Sequence, residues 1–341
     1  MKIVIAIVLS MLVGMTLVEK QAFAEKIPYL TDEEAKVAPF KQLPVDFSLF
    51  RKHKALYDEF WKLKENVSVK KSMSKEESMT NLKRRWAILK EITKKEPKFA
   101  AGYWLMGDTG VPYGSSYTDE KDLPFARSIF VEVEQANRKC LKIDKENANC
   151  TFWLGAAMGK IATIDGVFAS LNKGKEILDL FEKAYNSPYN YKIDRGISFK
   201  GNASIALGVF YRVIPDFFLL RWFFDISGDL NKSIKYHTKA KEFDGMARLD
   251  NTLYLSSVLL CKSGNAPKSK LTKEANKLLD FLVVQTSNSS YYRAVIEGGK
   301  HIKKKPTDAC GYTIARIQER DEKAFEKRME KEKADAKKNA S

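Results

Sequence analysis

The chain is 341 residues long, 44% hydrophobic and 30% charged, with a formal net charge of +16. That length supports a sizeable core, in one elongated or two compact domains. The positive excess does not select nucleic acid as a partner, because the lysines are interleaved with Glu and Asp, as in LKRRWAILKEITKKEPK, and no helix-turn-helix, zinc or RNA-recognition signature accompanies them.

Residues 1–24 read as a secretory signal peptide. Lys2 gives a short basic start, Ile3 to Val18 an apolar stretch, and Ala22-Phe23-Ala24 the small-residue cleavage pattern. The stretch is shorter than the roughly 20 residues that a bilayer span needs. The expectation is a soluble protein exported to the periplasm, with association to the membrane surface left open. No Cys stands at the cleavage point to carry a lipid.

From residue 25 to 310 the pattern is helix after helix. Apolar residues recur at helical spacing in FSLFRKHKALYDEFWKLKENV, NLKRRWAILKEITKKE and FARSIFVEVEQANRKCLKI, and again in KGKEILDLFEKAYN, DLNKSIKYHTKAKEFD and TKEANKLLDFLVVQ. Breakers separate them at Pro97, the GDTGVPYGSSYTDE loop, Ser187-Pro188, Ser227-Gly228 and SGNAPKS. Residues 311–341 form a charged C-terminal segment, in which ERDEKAFEKRMEKEKADAKKNAS is nearly all charged or small and reads as a solvated helix fraying into a tail.

Four cysteines suit an oxidising compartment. Three connectivities are open to them; Cys140–Cys150 is favoured because CLKIDKENANC would clip one helix end to the start of the next, leaving Cys261–Cys310 as the second bridge.

The helices also repeat. PKFAAGYWLMG, ENANCTFWLGAAMG and GNASIALGVFY have a related form. Aligning Leu105, Leu154, Leu207 and, more weakly, Leu255 gives intervals of about 50 residues. Each is followed by a helix with a small residue for close packing, such as Ala184 or Ala240. This is tetratricopeptide-repeat (TPR) logic with a longer period, and it predicts an all-α fold of TPR-like hairpins stacked as an α-solenoid. A non-repeating helical bundle is the alternative.

The order of these motifs resembles the TatT family, the TPR-like periplasmic proteins associated with TRAP transporters. The likeness covers roughly residues 80–285. Leu207, Gly208, Tyr211 and Pro215 match its L-G-x-x-Y-x-x-x-P element, and Gly228, Asp229, Lys232 and Ser233 match its Gly-Asp-x-x-Lys-Ser/Ala helix start. The resemblance implies a periplasmic solute-binding protein as partner and a small, apolar organic ligand held inside the helical stack. Two features depart from the family. Typical members are lipoproteins, and DFFLLRWFFDIS stands here where the family has a short Gly-rich link.

No catalytic constellation is found. His53, His237 and His301 each stand outside any recognisable motif and are expected at the surface. GxSxG, P-loop and HExxH patterns are absent, as is any cofactor motif. The candidate ligand-binding residues are therefore aromatic: Trp153, Phe168, Tyr211, Phe218 and Trp222 for an apolar ligand, with Asp108, Tyr113 and Tyr117 on the expected glycine-rich loop. In GVFYRVIPDFFLLRWFFD, charges at Asp216, Arg221 and Asp225 argue against a membrane helix. Phe210, Val213, Phe217, Leu220 and Phe224 form one apolar stripe, while Phe218, Trp222 and Phe223 fall partly off it. What covers that second face is left open between a neighbouring hairpin, a second subunit, the membrane surface and a ligand. The expected protein is non-enzymatic, with a generic protein-interaction scaffold as the alternative.

Overall fold

The computed structural model describes residues 25–69, 73–246 and 248–339; the expected signal peptide lies outside them. The fold is all-α, with fifteen α-helices among the described residues. Two short ones, α1 (Asp32–Ala35) and α2 (Ser48–Arg51), lead into α3 (Lys54–Val69), α4 (Lys75–Lys95), α5 (Ala100–Ser115) and α6 (Leu123–Ile143). Next come α7 (Ala148–Asp165), α8 (Gly174–Asn186), α9 (Phe199–Val213), α10 (Phe218–Phe224) and α11 (Leu230–Asp244). The chain finishes with α12 (Leu249–Ser263), α13 (Lys270–Val283), α14 (Ser290–Lys304) and α15 (Glu322–Asn339). The strands are two or three residues long: β1 (Lys41–Gln42) runs parallel to β2 (Tyr189–Asn190), and β3 (Lys192–Asp194) pairs antiparallel with β4 (Ile197–Ser198).

Local chemistry explains where the helices begin. Ser74 and Glu77 form a reciprocal capping box on α4, satisfying backbone donors that would otherwise lack partners. Asn147, Ser198 and Ser289 accept a backbone N–H at the starts of α7, α9 and α14. Asp229 does so twice on α11, through Asn231 N at 2.8 Å and Lys232 N at 3.0 Å. Ser233, one turn in, donates its hydroxyl to Gly208 O at 2.6 Å and ties α11 to α9. The Gly-Asp-x-x-Lys-Ser run is thus a helix start plus an interhelical bond.

Helices near one another in the chain pack together: α5 on α6, α7 on α8, α9 on α11 across the short α10, and α12 on α13. The first member of each pair is the more buried. Leu105, Leu154, Leu207 and Leu255 all lie in the core, on α5, α7, α9 and α12. The second members present one apolar stripe inward, where Ala184 and Ala240 have no exposed surface. The array then returns on itself. At the start of α14, Ser290 N donates to Ser78 Oγ of α4 at 2.9 Å, and its hydroxyl meets Ser116 Oγ at 2.7 Å. Arg293 also bonds the Met73 carbonyl. Helix α14 is thereby fastened to α4 and to the end of α5.

The glycine-rich GDTGVPYG segment was expected as a loop and is instead the second half of α5. Its glycines are packing devices. A Cβ at Gly107 would lie 2.4 Å from Trp153, and one at Gly114 would lie 2.6 Å from Phe130, so the missing side chains let α6 and α7 close on α5. His237 was expected at the surface and is fully buried. Its Nδ1 lies 2.9 Å from Asn251 Oδ1, it sits against the bare backbone of Gly208, and burial pulls its pKa down to about 3. His53 and His301 are partly exposed beside Glu96 and Asp308.

Both disulfides form as expected, Cys140–Cys150 and Cys261–Cys310. The second holds residues 306–312 against α12, where the buried guanidinium of Arg212 donates to Ala309 O at 2.5 Å and Tyr312 O at 2.6 Å. Beyond it, Phe325 of α15 is buried against Phe168 and Phe217. No described helix is long and apolar enough to cross a membrane.

Candidate binding cavity

The helices line a partly open cavity of about 320 Å³, at the small end of the roughly 300–1,000 Å³ range for small-molecule sites. Most of its wall is apolar. Phe152 and Trp153 come from α7, Ile177 and Phe181 from α8, Ile205, Val209 and Phe210 from α9, and Leu82 from α4. Ala156, Gly159, Ala162 and Ala206 leave the space that larger side chains would fill. A Cβ at Gly159 would make only ordinary contacts, the nearest at 3.8 Å from Phe181.

Charged groups enter this wall in two clusters. In the first, Lys64 of α3 donates to Asp108 of α5 at 2.6 Å; Lys64 is buried and Asp108 largely so. Arg85 lines the cavity beside them, its Nε donating to Asn81 Oδ1 at 3.0 Å. Burial pulls the Arg85 guanidinium below its usual value, against the opposing pull of Asp108. Asp194 accepts from the Tyr29 hydroxyl at 2.7 Å.

The second cluster joins α7, α12 and α14. Arg248 forms a fork with Asp250, Nε to Oδ1 at 2.7 Å and Nη2 to Oδ2 at 3.1 Å, and its Nη1 reaches Asp244 at 2.8 Å. Tyr291 donates to Asp250 Oδ2 at 3.3 Å. Lys160 of α7 faces this group, its Nζ 5.9 Å from the centre of the Tyr291 ring. The Lys160 ammonium makes no hydrogen bond or ion pair among the described residues; burial pulls its pKa down to about 8, with only Asp250 opposing. It keeps some accessibility because it lines the cavity.

Two of the eight residues expected to bind ligand reach this wall, Trp153 and Asp108. The buried indole N–H of Trp153 has no partner among the described residues. Phe168 packs instead on Phe325. Tyr211 is buried in a stack with Tyr236, its hydroxyl donating to Glu182 Oε1 at 3.0 Å. Tyr113 and Tyr117 cluster with Phe125. Phe218 and Trp222 project from α10 with 69% and 72% of their surface exposed, and Phe223 is exposed beside them. The one buried residue of α10 is Leu220, so the expected stripe does go inward while its off-stripe neighbours stay uncovered.

Apart from Asp108, the charged wall residues were missed. Lys160 left a readable signal, standing alone in the apolar run CTFWLGAAMGKIATI. Arg85 and Asp250 left none, because charged residues are common at such helical positions and only the tertiary packing turns these inward.

No protein-family model matches this chain, and no curated protein matches it at a significant level.

Proposed function

We propose that the protein is an exported, non-enzymatic binding protein that holds a small organic ligand in the cavity between TPR-like hairpins stacked as a solenoid. The supporting repeat is the recurrence of buried Leu105, Leu154, Leu207 and Leu255 on the first helix of successive hairpins, each facing a second helix with a small residue at the contact. The observation that carries the ligand reading is the cavity itself, apolar on most of its wall and bounded by an array fastened at Ser78, Ser116 and Ser290. An open stack would offer a broad polar groove suited to a peptide; the space here is compact, partly open and mostly apolar, which suits a small molecule. With the resemblance to the TatT family, the role is that of an accessory to a TRAP-type transporter. The partner is then a periplasmic solute-binding protein, and the uncovered Phe218, Trp222 and Phe223 supply a surface for it. The generic scaffold, with no transport role, is the second reading, and those same exposed aromatics favour it.

Native mass spectrometry of protein purified from its own periplasm tests the ligand reading. The expected result is a retained small-molecule mass that is lost in Gly159→Leu, which fills the cavity without a clash at its Cβ. A bare polypeptide mass in both proteins overturns it.

A further inference from the structure

We infer that the ligand is an amphipathic monoanion, an aliphatic or aromatic body carrying a carboxylate, seated with its charged head at Lys160 and its body along Trp153, Phe181 and Val209. This deepens the cavity reading above and rests on it.

Asp250 accepts two bonds from Arg248, one from Tyr291 and one from the Asn251 backbone N–H. Asp244 accepts from Arg248 and from the Ser198 backbone N–H. Both carboxylates are thus committed to Arg248, and Lys160 is left with no carboxylate of its own. Lysines are seldom enclosed without a counter-ion, because the desolvation of an ammonium is offset only by an opposite charge or several acceptors. Here neither is within bonding reach among the described residues, and the free face of the side chain belongs to the cavity.

Neighbouring donors point the same way. Tyr254 and Tyr292 also line the cavity, and neither hydroxyl donates to a described protein group. Burial pushes both phenols well above their usual range, so they stay protonated donors at neutral pH. An ammonium and two phenolic O–H groups are the donors a carboxylate takes and an amine repels. Most of the wall beyond them is hydrocarbon and aromatic, which favours an apolar body behind the head group over a second charge. Asp108 and Lys64 neutralise one another, so the first cluster offers no equal attraction. Its unpaired cation, Arg85, has Asp108 and Asp194 as charge neighbours.

The test compares three ten-carbon probes by calorimetry on the purified protein at pH 7: decanoate, decanol and decylamine. Decanoate should bind about tenfold or more tighter than decanol, the ratio a single charge-assisted hydrogen bond supplies. Decylamine should bind weakest. In Lys160→Met the preference for decanoate should vanish while decanol affinity stays within about twofold, which shows that the variant keeps its fold and cavity. Equal or better binding of decanol by the native protein overturns the anion assignment and leaves the cavity reading standing. Failure of all three probes overturns both. Retention of the decanoate preference in Lys160→Met removes Lys160 as the head-group partner.

Discussion

Two lysines line the same cavity and live in opposite circumstances. Lys64 is locked to Asp108 at 2.6 Å, and the pair reads as part of the frame that sets α3 against α5. Lys160 lies across from Asp250, which is already taken by Arg248, and it has no acceptor within reach. The difference teaches how to separate structural charge from charge available to a ligand. Lys64 is the more buried of the two, while Lys160 keeps some exposure to the cavity; what sets them apart chemically is that only Lys64 has a committed carboxylate.

Breaking the pair at Lys64 should have the largest effect. Lys64→Met strands the Asp108 carboxylate, and a loss of about 3–5 kcal/mol is expected in chemical denaturation. The double variant Lys64→Met/Asp108→Leu should recover most of that loss, because the cost lies in the orphaned charge. A double variant as unstable as the single one would remove the distinction between the lysines.

Removing the Cys261–Cys310 bridge, which closes 49 residues, should cost about 4 kcal/mol, against about 3 kcal/mol for Cys140–Cys150. Paired Cys→Ala variants and urea titration check the order. The sizes matter because the longer bridge holds the segment that Arg212 grips behind the second cluster.

Lys160→Met should have the opposite sign. Without ligand the free ammonium is a burden, and its removal should stabilise the protein at pH 7 by at most about 3 kcal/mol. The sign follows from the depressed value of about 8 in the folded state against the ordinary 10.5. Between those two values the unfolded chain binds more protons, so native stability gains with rising pH. The gain from Lys160 is absent below 8 and complete above 10.5. Lys200, also depressed to about 8, contributes in the same window, so the contribution of Lys160 is the difference between native and variant curves. A variant less stable than the native protein at pH 7 would contradict the account of Lys160.

The smallest effect belongs to α10. Trp222→Ser should change stability by less than about 0.5 kcal/mol, since the indole is mostly exposed. A larger loss in the isolated protein would mean that the aromatic cluster belongs to the fold.

The sequence carried more of the frame than of the site. Helical periodicity, the breakers at Pro97 and Ser187-Pro188, and the recurring leucines set out the main hairpins, because those signals are local. The second half of α5 was misread because Gly107, Gly110 and Gly114 are loop formers in isolation, and only the rings of Trp153, Trp86 and Phe130 supply the reason for them. His237 was misplaced for a related cause: its burial depends on Gly208, 29 residues away. In the cavity, Trp153 was accessible to reasoning by residue type. Asp250, Arg248 and Tyr291 were not, since their meeting is set by the packing of α12 on α14.

The most direct measurement is a ¹³Cε NMR titration of Lys160, with and without decanoate. The account predicts a value near 8 in the empty protein and a clear upward move when the carboxylate binds. A value near 10.5 that does not respond to decanoate would contradict it.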